Sequence, residues 1–342
     1  MASISNYRMI MILLLCASLI TIRIYINKTT QIEKVQGGTA HPFVYQEILT
    51  NESDKIILTL PVYIHRRENV NKVCSLNGFK GDTTNFLVEN KKLLDHILVD
   101  EKHQLLYCYV PKVACTNWKR IFMMLTGKVN SSKALDIPAS DAHGKGILMS
   151  LSNYTSDEIE FYISKFTKFV FVRHPFERLL SAYRNKLEQH YLSSQYFHMR
   201  FGRHIVKHYR QNPSKDSLIK GDDVTFQEFS AYLTNPDNNS FNEHWKPIFD
   251  LCHLCIIDYD IIGKYETLYE DAEFILKQIG KSDIMFPRAV KPSKTLSKLQ
   301  KYYSTLSHKV INDLYNIYKM DFELFEYNLD DYLNNNNISQ RV

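Results

Sequence analysis

Lys112, Thr116 and Asn117 share one short stretch, Pro111-Lys-Val-Ala-Cys-Thr-Asn117. An ammonium, a hydroxyl and an amide at this spacing can hold a phosphate or a sulfate, the lysine by charge and the other two as hydrogen-bond donors. Pro111, Lys112, Val113, Ala114, Cys115, Thr116 and Asn117 therefore form a first candidate anion-binding set. A second stretch, Arg173-His-Pro-Phe-Glu-Arg-Leu-Leu-Ser181, adds a guanidinium and a hydroxyl. Its members Arg173, His174, Pro175, Phe176, Glu177, Arg178, Leu179, Leu180 and Ser181 form a second candidate set. Neither stretch is a Walker A sequence, because the G-x-x-x-x-G-K-[ST] glycines are missing. Taken alone, the first is equally well a basic surface turn, and the second changes that balance.

The elements around both stretches are readable. Residues 104–110 are apolar and aromatic, a short buried strand that Pro111 ends because it has no N–H for a sheet ladder. Trp118 to Leu125 reads as a helix with an apolar face. A strand, a tight loop and a helix N-terminus make an anion site, since unpaired backbone N–H groups point at the ligand. Lys168-Phe-Val-Phe-Val172 is a second strand. Pro175 suits the first turn of the helix after it, in which Leu179, Ala182 and Tyr183 repeat at helical spacing. Ligands of open α/β sheets bind outside the carboxyl ends of strands, so two such ends can hold two separated phosphates.

The pair PKVACTNWKR and RHPFERLLSAYRNK resembles the Golgi carbohydrate sulfotransferases, in particular the chondroitin/dermatan 4-O-sulfotransferase branch. The likeness runs from about Tyr107 to about Tyr332 and includes IPASDAH (137–143), KGDDVTFQEFSAYL (220–233), FNEHW (241–245), LCHLC (251–255) and YDIIGKYETLYEDA (259–272). Several ordered motifs in one chain are more specific than either loop alone. The resemblance implies that the first stretch binds the 5′-phosphosulfate, and the second the 3′-phosphate, of 3′-phosphoadenosine 5′-phosphosulfate (PAPS). Position 174 is His where the family pattern has Glu, which bears on the charge beside the donor.

Sulfuryl transfer to a sugar hydroxyl needs a base, and histidine titrates in the right range. In the wider family, heparan 2-O-sulfotransferases use a His from this region. His143 is accordingly the first candidate base, with His244 second and Glu243 or Glu177 as carboxylate alternatives. Lys112 is the other candidate catalytic residue, stabilising charge on the leaving phosphate while the hydroxyl attacks sulfur in line. The scheme requires no metal. Arg200, Arg203, Lys207 and Arg210 fall on one helical stripe, with His204 and His208 beside it. Such a stripe is either a solvated face or a track for an acidic glycan, and it is taken here as the candidate acceptor-binding set.

The rest of the chain sets the context. With 342 residues, 44% hydrophobic content and a net charge of +5, it holds one catalytic domain and suits an acidic ligand. The apolar run at 9–26 is long enough for an uncleaved signal anchor, with residues 1–8 as a cytoplasmic tail. Residues 27–100 read as a stem and an approach to the domain, 101–333 as the sulfotransferase domain, and 334–342 as a polar tail. Sequons begin at Asn27, Asn51, Asn130, Asn153, Asn238 and Asn337 and suit a lumenal, C-terminal catalytic part in a single-pass type II Golgi membrane protein. That compartment disfavours nucleic acid as a partner.

Beyond Cys16 there are Cys74, Cys108, Cys115, Cys252 and Cys255. In a lumenal protein these favour disulfides, and the odd count leaves one thiol free, for which Cys115 is the candidate. Cys252-His-Leu-Cys255 lacks the second pair that zinc would need. Thr155 and Thr225 begin helices with capping-box spacing. Ile256 to Ile262 reads as a core strand, and Leu268 to Ile279 as a helix closed by Gly280. Lys291 to Lys301 reads as a flap over the adenine end, and Val310 to Phe325 as one long helix.

The expected fold is α/β, a central, mostly parallel sheet flanked by helices in the P-loop-like sulfotransferase arrangement. Two other classes compete. One is an ATP phosphotransferase, which needs a magnesium-binding carboxylate that no convincing Walker B run supplies. The other is a catalytically inactive glycan-binding Golgi protein of the same fold, which has no need of Lys112, Arg173 and Ser181.

Overall fold

Four runs of mostly buried side chains form the sheet: β1 (Ile97–Asp100), β2 (Leu105–Cys108), β3 (Thr167–Val172) and β4 (Ile261–Lys264). They lie in the order β1-β2-β3-β4. β1 pairs antiparallel to β2, with Leu98 opposite Tyr107. The β2–β3 and β3–β4 pairs are parallel, with Tyr107 opposite Phe169 and Phe169 opposite Ile261. Burial along β1, β2 and nearly all of β3 is continuous rather than alternating, as expected of strands covered on both faces. The structure, a computed structural model, describes residues 61–79, 84–237, 241–288 and 296–329. The expected anchor at 9–26 and the tail at 334–342 lie outside them. Among the described residues no helix is long and apolar enough to cross a membrane.

Residues 61–100, the later part of the stretch read above as stem and approach, contribute helices and an edge strand to the domain. Helix α1 (Pro61–Leu76) buries Tyr63, Arg66, Val70 and Cys74 and packs on β4. Arg66 donates to Asp271 Oδ2 at 2.8 Å and to the Ile262 carbonyl at 2.9 Å, and Tyr63 donates to Asp271 Oδ1 at 2.9 Å. Disulfides Cys74–Cys255 and Cys108–Cys252 pin α1 and β2 to the segment before β4, while Cys115 stays free.

Helix α2 (Cys115–Leu125) follows β2, and α3 (Pro175–Tyr183) follows β3, so each candidate stretch links a strand end to a helix. Trp118 of α2 is fully buried against Tyr107, Phe169, Phe171 and Phe286, which fixes the loop before it to the sheet. α3 lies in a second apolar cluster, where Phe176 stacks on Tyr303 at 4.7 Å. Helix α4 (Leu268–Gln278) follows β4, and Gly280 comes just beyond it with φ +68. Both capping boxes form, at Thr155–Glu158 and Thr225–Glu228.

Three sequence readings shift. The strand expected at 256–262 is displaced to Ile261–Lys264. The chain turns at His253, which has φ +52, and Asp260 Oδ2 accepts the Lys168 N–H at 2.8 Å before pairing with β3 begins. The single C-terminal helix is two, His308–Ile317 and Lys319–Leu324. Part of the expected flap is outside the described residues, and the rest belongs to helix Leu296–Tyr303, whose Tyr303 is buried.

Candidate active site

The carboxyl ends of β2 and β3 converge on one pocket of about 340 Å³. Lys112, Thr116, Asn117, His143, Arg173, Ser181, Asn185, Lys186, His244, Tyr265 and Tyr269 are among the residues that line it. The loop after β2 is tightly wound. Lys112 and Ala114 both adopt left-handed backbone conformations, with φ of 73 and 56, and neither is glycine. Such conformations cost on the order of 1–3 kcal/mol each and concentrate at functional positions. Ala114 is the N-cap of α2, and no side chain caps the helix. The amides of Cys115 and Thr116 thus have no capping side chain as acceptor, and both residues line the pocket.

Two arginines build the loop from below. Arg178 is buried and donates to the Pro111 carbonyl at 3.1 Å, the Lys246 carbonyl at 2.6 Å and the Glu243 carbonyl at 2.9 Å. Arg173 donates to the Lys112 carbonyl at 3.2 Å and to Glu177 Oε2 at 3.0 Å, and its guanidinium lies 4.1 Å from the Tyr265 ring centre. The two motifs are therefore in direct contact.

Lys112 Nζ donates to Asn185 Oδ1 at 2.9 Å. Burial, the Lys186 charge and, more weakly, Arg173 and Arg178 lower its pKa to about 8, against the opposing effect of Cys115. Asn185 and Lys186 belong to a single turn of π-helix, Arg184–Glu188, that continues α3. Ser181 and Asn185 are four residues apart, as on any helical face. The wider π-turn also brings Lys186, five residues on, to the same pocket. Burial lowers the Lys186 pKa, and the ammonium sits 4.6 Å from the Phe197 ring centre.

Two histidines face this cationic floor. His143 ends the short helix Ala139–Ala142, and its Nε2 is 2.9 Å from Thr116 Oγ1. Arg120 holds the two segments together, donating to the Ile137 carbonyl at 2.8 Å and to Asn117 Oδ1 at 3.2 Å. Burial and the charges of Lys119 and Lys186 lower the His143 pKa below its ordinary value. His244 is oriented by Asn242, whose Oδ1 accepts from its Nδ1 at 2.7 Å and leaves Nε2 as the unprotonated nitrogen. Burial, then the Lys186 charge, lower the His244 pKa to about 3, with Glu243 opposing.

The carboxylate alternatives are otherwise occupied. Glu177 is buried against Arg173. Glu243 meets His96 Nε2 at 3.2 Å; burial would raise its pKa, but His96, His244 and Lys119 together bring it to about 2.

The structure divides the candidate sets into residues that line the pocket and residues that do not. Val113 is in the core, and His174, Pro175, Phe176, Glu177, Arg178, Leu179 and Leu180 are buried side chains absent from the pocket wall. His174 packs edge-on to Phe322 and Tyr327, and burial lowers its pKa to about 3, so its ring is neutral and puts no charge beside the pocket. In the basic stripe, Arg200, Arg203 and Lys207 are exposed. Arg210 is not part of that face. It ends helix Arg203–Tyr209 in an extended conformation and donates to Glu228 Oε1 and Asp223 Oδ2, both at 2.6 Å. Asn185, Lys186, Tyr265, Leu268 and Tyr269 are pocket residues that the sequence reading missed.

A family model described as the sulfotransferase family matches residues 95–328. Carbohydrate sulfotransferase 11 of Rattus norvegicus is 44% identical over 273 residues, covering 78% of this chain and 76% of the relative. Carbohydrate sulfotransferase 14 of Homo sapiens is 37% identical over 268 residues, covering 77% and 69%. Carbohydrate sulfotransferase 9 of Homo sapiens is 37% identical over 241 residues, covering 68% and 53%. No solved structure gave a significant match.

Proposed function

Because the chain belongs to the sulfotransferase family, we propose that it is a PAPS-dependent carbohydrate sulfotransferase whose acceptor hydroxyl is the 4-position of N-acetylgalactosamine in chondroitin or dermatan chains. The observation that carries the donor assignment is the meeting of two strand-end motifs in one cationic pocket. Lys112, Arg173 and Lys186 supply charge, Ser181 and Thr116 supply hydroxyls, and α2 opens on it without a side-chain cap. These residues fit a nucleotide with two separated phosphates, and Tyr265 and Tyr269 offer flat surfaces for its base.

PAPS, when bound, supplies a sulfuryl group on a phosphate leaving group. Lys112 and the amides of Cys115 and Thr116 hold charge at the 5′ end, and Arg173 and Ser181 bind at the 3′-phosphate. His143 takes the acceptor proton at Nε2, the nitrogen that faces Thr116. The negative charge of the donor offsets Lys119 and Lys186, so the His143 pKa rises towards the working range when the donor is bound. Arg200, Arg203 and Lys207 hold acidic groups of the polymer outside the pocket.

A single-pass type II Golgi location belongs to the same proposal. The apolar run at 9–26 supports it, as do two disulfides, which persist in oxidising compartments. The sequon residues Asn130 and Asn153 are exposed and open to glycosylation. The direct test of activity is incubation with radiolabelled PAPS and a panel of desulfated glycosaminoglycans, followed by disaccharide analysis. Label on the 4-position of N-acetylgalactosamine is the expected result. Label on another sugar or position replaces the acceptor assignment, and no transfer to any glycan removes it.

A further inference from the structure

We propose that Asn185 is a positioning residue for the transfer step: its side-chain oxygen holds the Lys112 ammonium over the donor site without neutralising it. The inference rests on the donor-site reading above and adds a residue to it. Lys112 has four rotatable side-chain bonds, and its backbone is fixed in a left-handed conformation by the loop. The backbone alone therefore does not place Nζ. Nζ donates to Asn185 Oδ1 at 2.9 Å, and both residues line the pocket. Asn185 is itself placed by the π-turn that continues α3, the helix carrying Ser181. The two donor-binding motifs are thus linked at the reacting end as well as through the Arg173 contact to the Lys112 carbonyl.

The choice of an amide has a physical consequence. Lys112 feels the charges of Lys186, Arg173 and Arg178, and its own charge bears on His244. A carboxylate at 185 would pair with the ammonium and compete with the donor for it. An alanine would leave the ammonium unanchored among three other cations. An amide oxygen orients the lysine and leaves its full charge for an anionic ligand.

The test compares Asn185→Ala, Asn185→Asp and Lys112→Ala by two readouts: kcat against pH, and calorimetric affinity for 3′-phosphoadenosine 5′-phosphate against pH. The wild-type ammonium is charged below about 8, so nucleotide affinity falls as pH rises through that value. In Asn185→Ala the charged form loses a partner, and the alkaline limb moves to lower pH. The loss of one hydrogen bond to a charged group also lowers kcat by about ten- to a hundredfold. In Asn185→Asp the carboxylate favours the charged form, so the limb moves to higher pH while nucleotide affinity below it drops.

Opposite displacements of the limb in two variants are not produced by a merely structural role. The proposal is overturned if both variants keep the wild-type limb, or if both move it the same way, whatever happens to kcat or to the melting temperature. Lys112→Ala separates the two levels. If it abolishes the limb while the Asn185 variants leave it in place, only this inference fails. If it keeps wild-type kcat and nucleotide affinity, the donor-site reading fails as well.

Discussion

Thr116 Oγ1 and His143 Nε2 lie 2.9 Å apart, joining the loop after β2 to a segment that follows it by more than a helix. The hydroxyl belongs to the second residue of α2, and the imidazole to the end of a short helix held by Arg120. A base at this place meets an acceptor hydroxyl next to the group being transferred, the geometry general-base catalysis requires.

The first prediction follows from that contact. His143→Ala is expected to lower kcat by about 10²–10⁴ and to leave nucleotide affinity unchanged. The base works in its neutral form, so wild-type activity falls as pH drops through the His143 pKa, and the variant loses this acidic limb. Burial and two lysines lower that pKa in the free enzyme, so the limb in kcat/KM lies at lower pH than the limb in kcat, where donor charge is present. If His143→Ala retains wild-type kcat at every pH, the base is elsewhere. His244, with Nε2 free of the Asn242 bond, is then the group to replace.

Both strand–loop–helix units could be read from the sequence because apolar runs end in punctuation that physics makes unambiguous, Pro111 in one case and Pro175 in the other. The missed residues follow a different rule. Lys186 reaches the pocket only because α3 widens into a π-turn, and no 3.6-residue pattern announces that change. Arg210 looked like the end of a basic stripe, but its partners Asp223 and Glu228 come from a later segment. The sequence marks the run from Arg173 to Ser181 as one set, although only its two ends line the pocket. A helix turns the intervening side chains into the core, where Phe176 and Leu180 are fully buried. β4 starts at Ile261 and not at Ile256 because Ile256 and Ile257, though as apolar as Ile261 and Ile262, precede the Asp260 contact to β3 at which pairing begins.

The stripe can be divided by experiment. Replacing Arg203 and Lys207 with Ala should raise acceptor KM several-fold at low salt, with the effect fading as salt is added, and leave nucleotide binding and stability near wild type. Arg210→Ala should do the reverse. It breaks charged hydrogen bonds to two carboxylates, costing about 2 kcal/mol of stability, and leaves acceptor KM unchanged. Unchanged acceptor KM in the Arg203/Lys207 double variant would make the whole face a solvated one.

The disulfides give a third prediction. Cys108–Cys252 closes a sequence separation of 144 residues and ties β2, the strand that leads into the Lys112 loop, to the segment before β4. Its removal by the double Ala variant should lower stability by about 2–5 kcal/mol in denaturant titration. Cys115 should be the one domain thiol that maleimide modifies in unfolded, unreduced protein, and mass spectrometry of the adducts tests this pairing. Modification at Cys74 or Cys255 instead would show that a different pairing holds.

The last prediction separates the two ends of the donor. Charge grows on the 5′-phosphate only as sulfur leaves, so an interaction there acts on the transition state and appears in kcat. Lys112→Ala should therefore lower kcat by on the order of 10²–10³, equivalent to about 2.7–4 kcal/mol for a lost donor of this type. The 3′-phosphate does not change charge during transfer, so Ser181→Ala should raise the Kd for nucleotide and the KM for PAPS while kcat holds. Arg173 is expected to show both effects. Its guanidinium faces the pocket beside Tyr265, but it also donates to the Lys112 carbonyl at 3.2 Å and holds Glu177. Removing it therefore loosens the loop that carries Lys112 as well as weakening nucleotide binding. Calorimetry beside steady-state kinetics on the three single variants reads these as three patterns: a fall in kcat well beyond the loss of affinity for Lys112→Ala, a loss of affinity alone for Ser181→Ala, and both together to a like degree for Arg173→Ala. Normal nucleotide binding in Arg173→Ala would contradict the two-motif donor site, since the residue central to both motifs would then contribute nothing to holding the nucleotide.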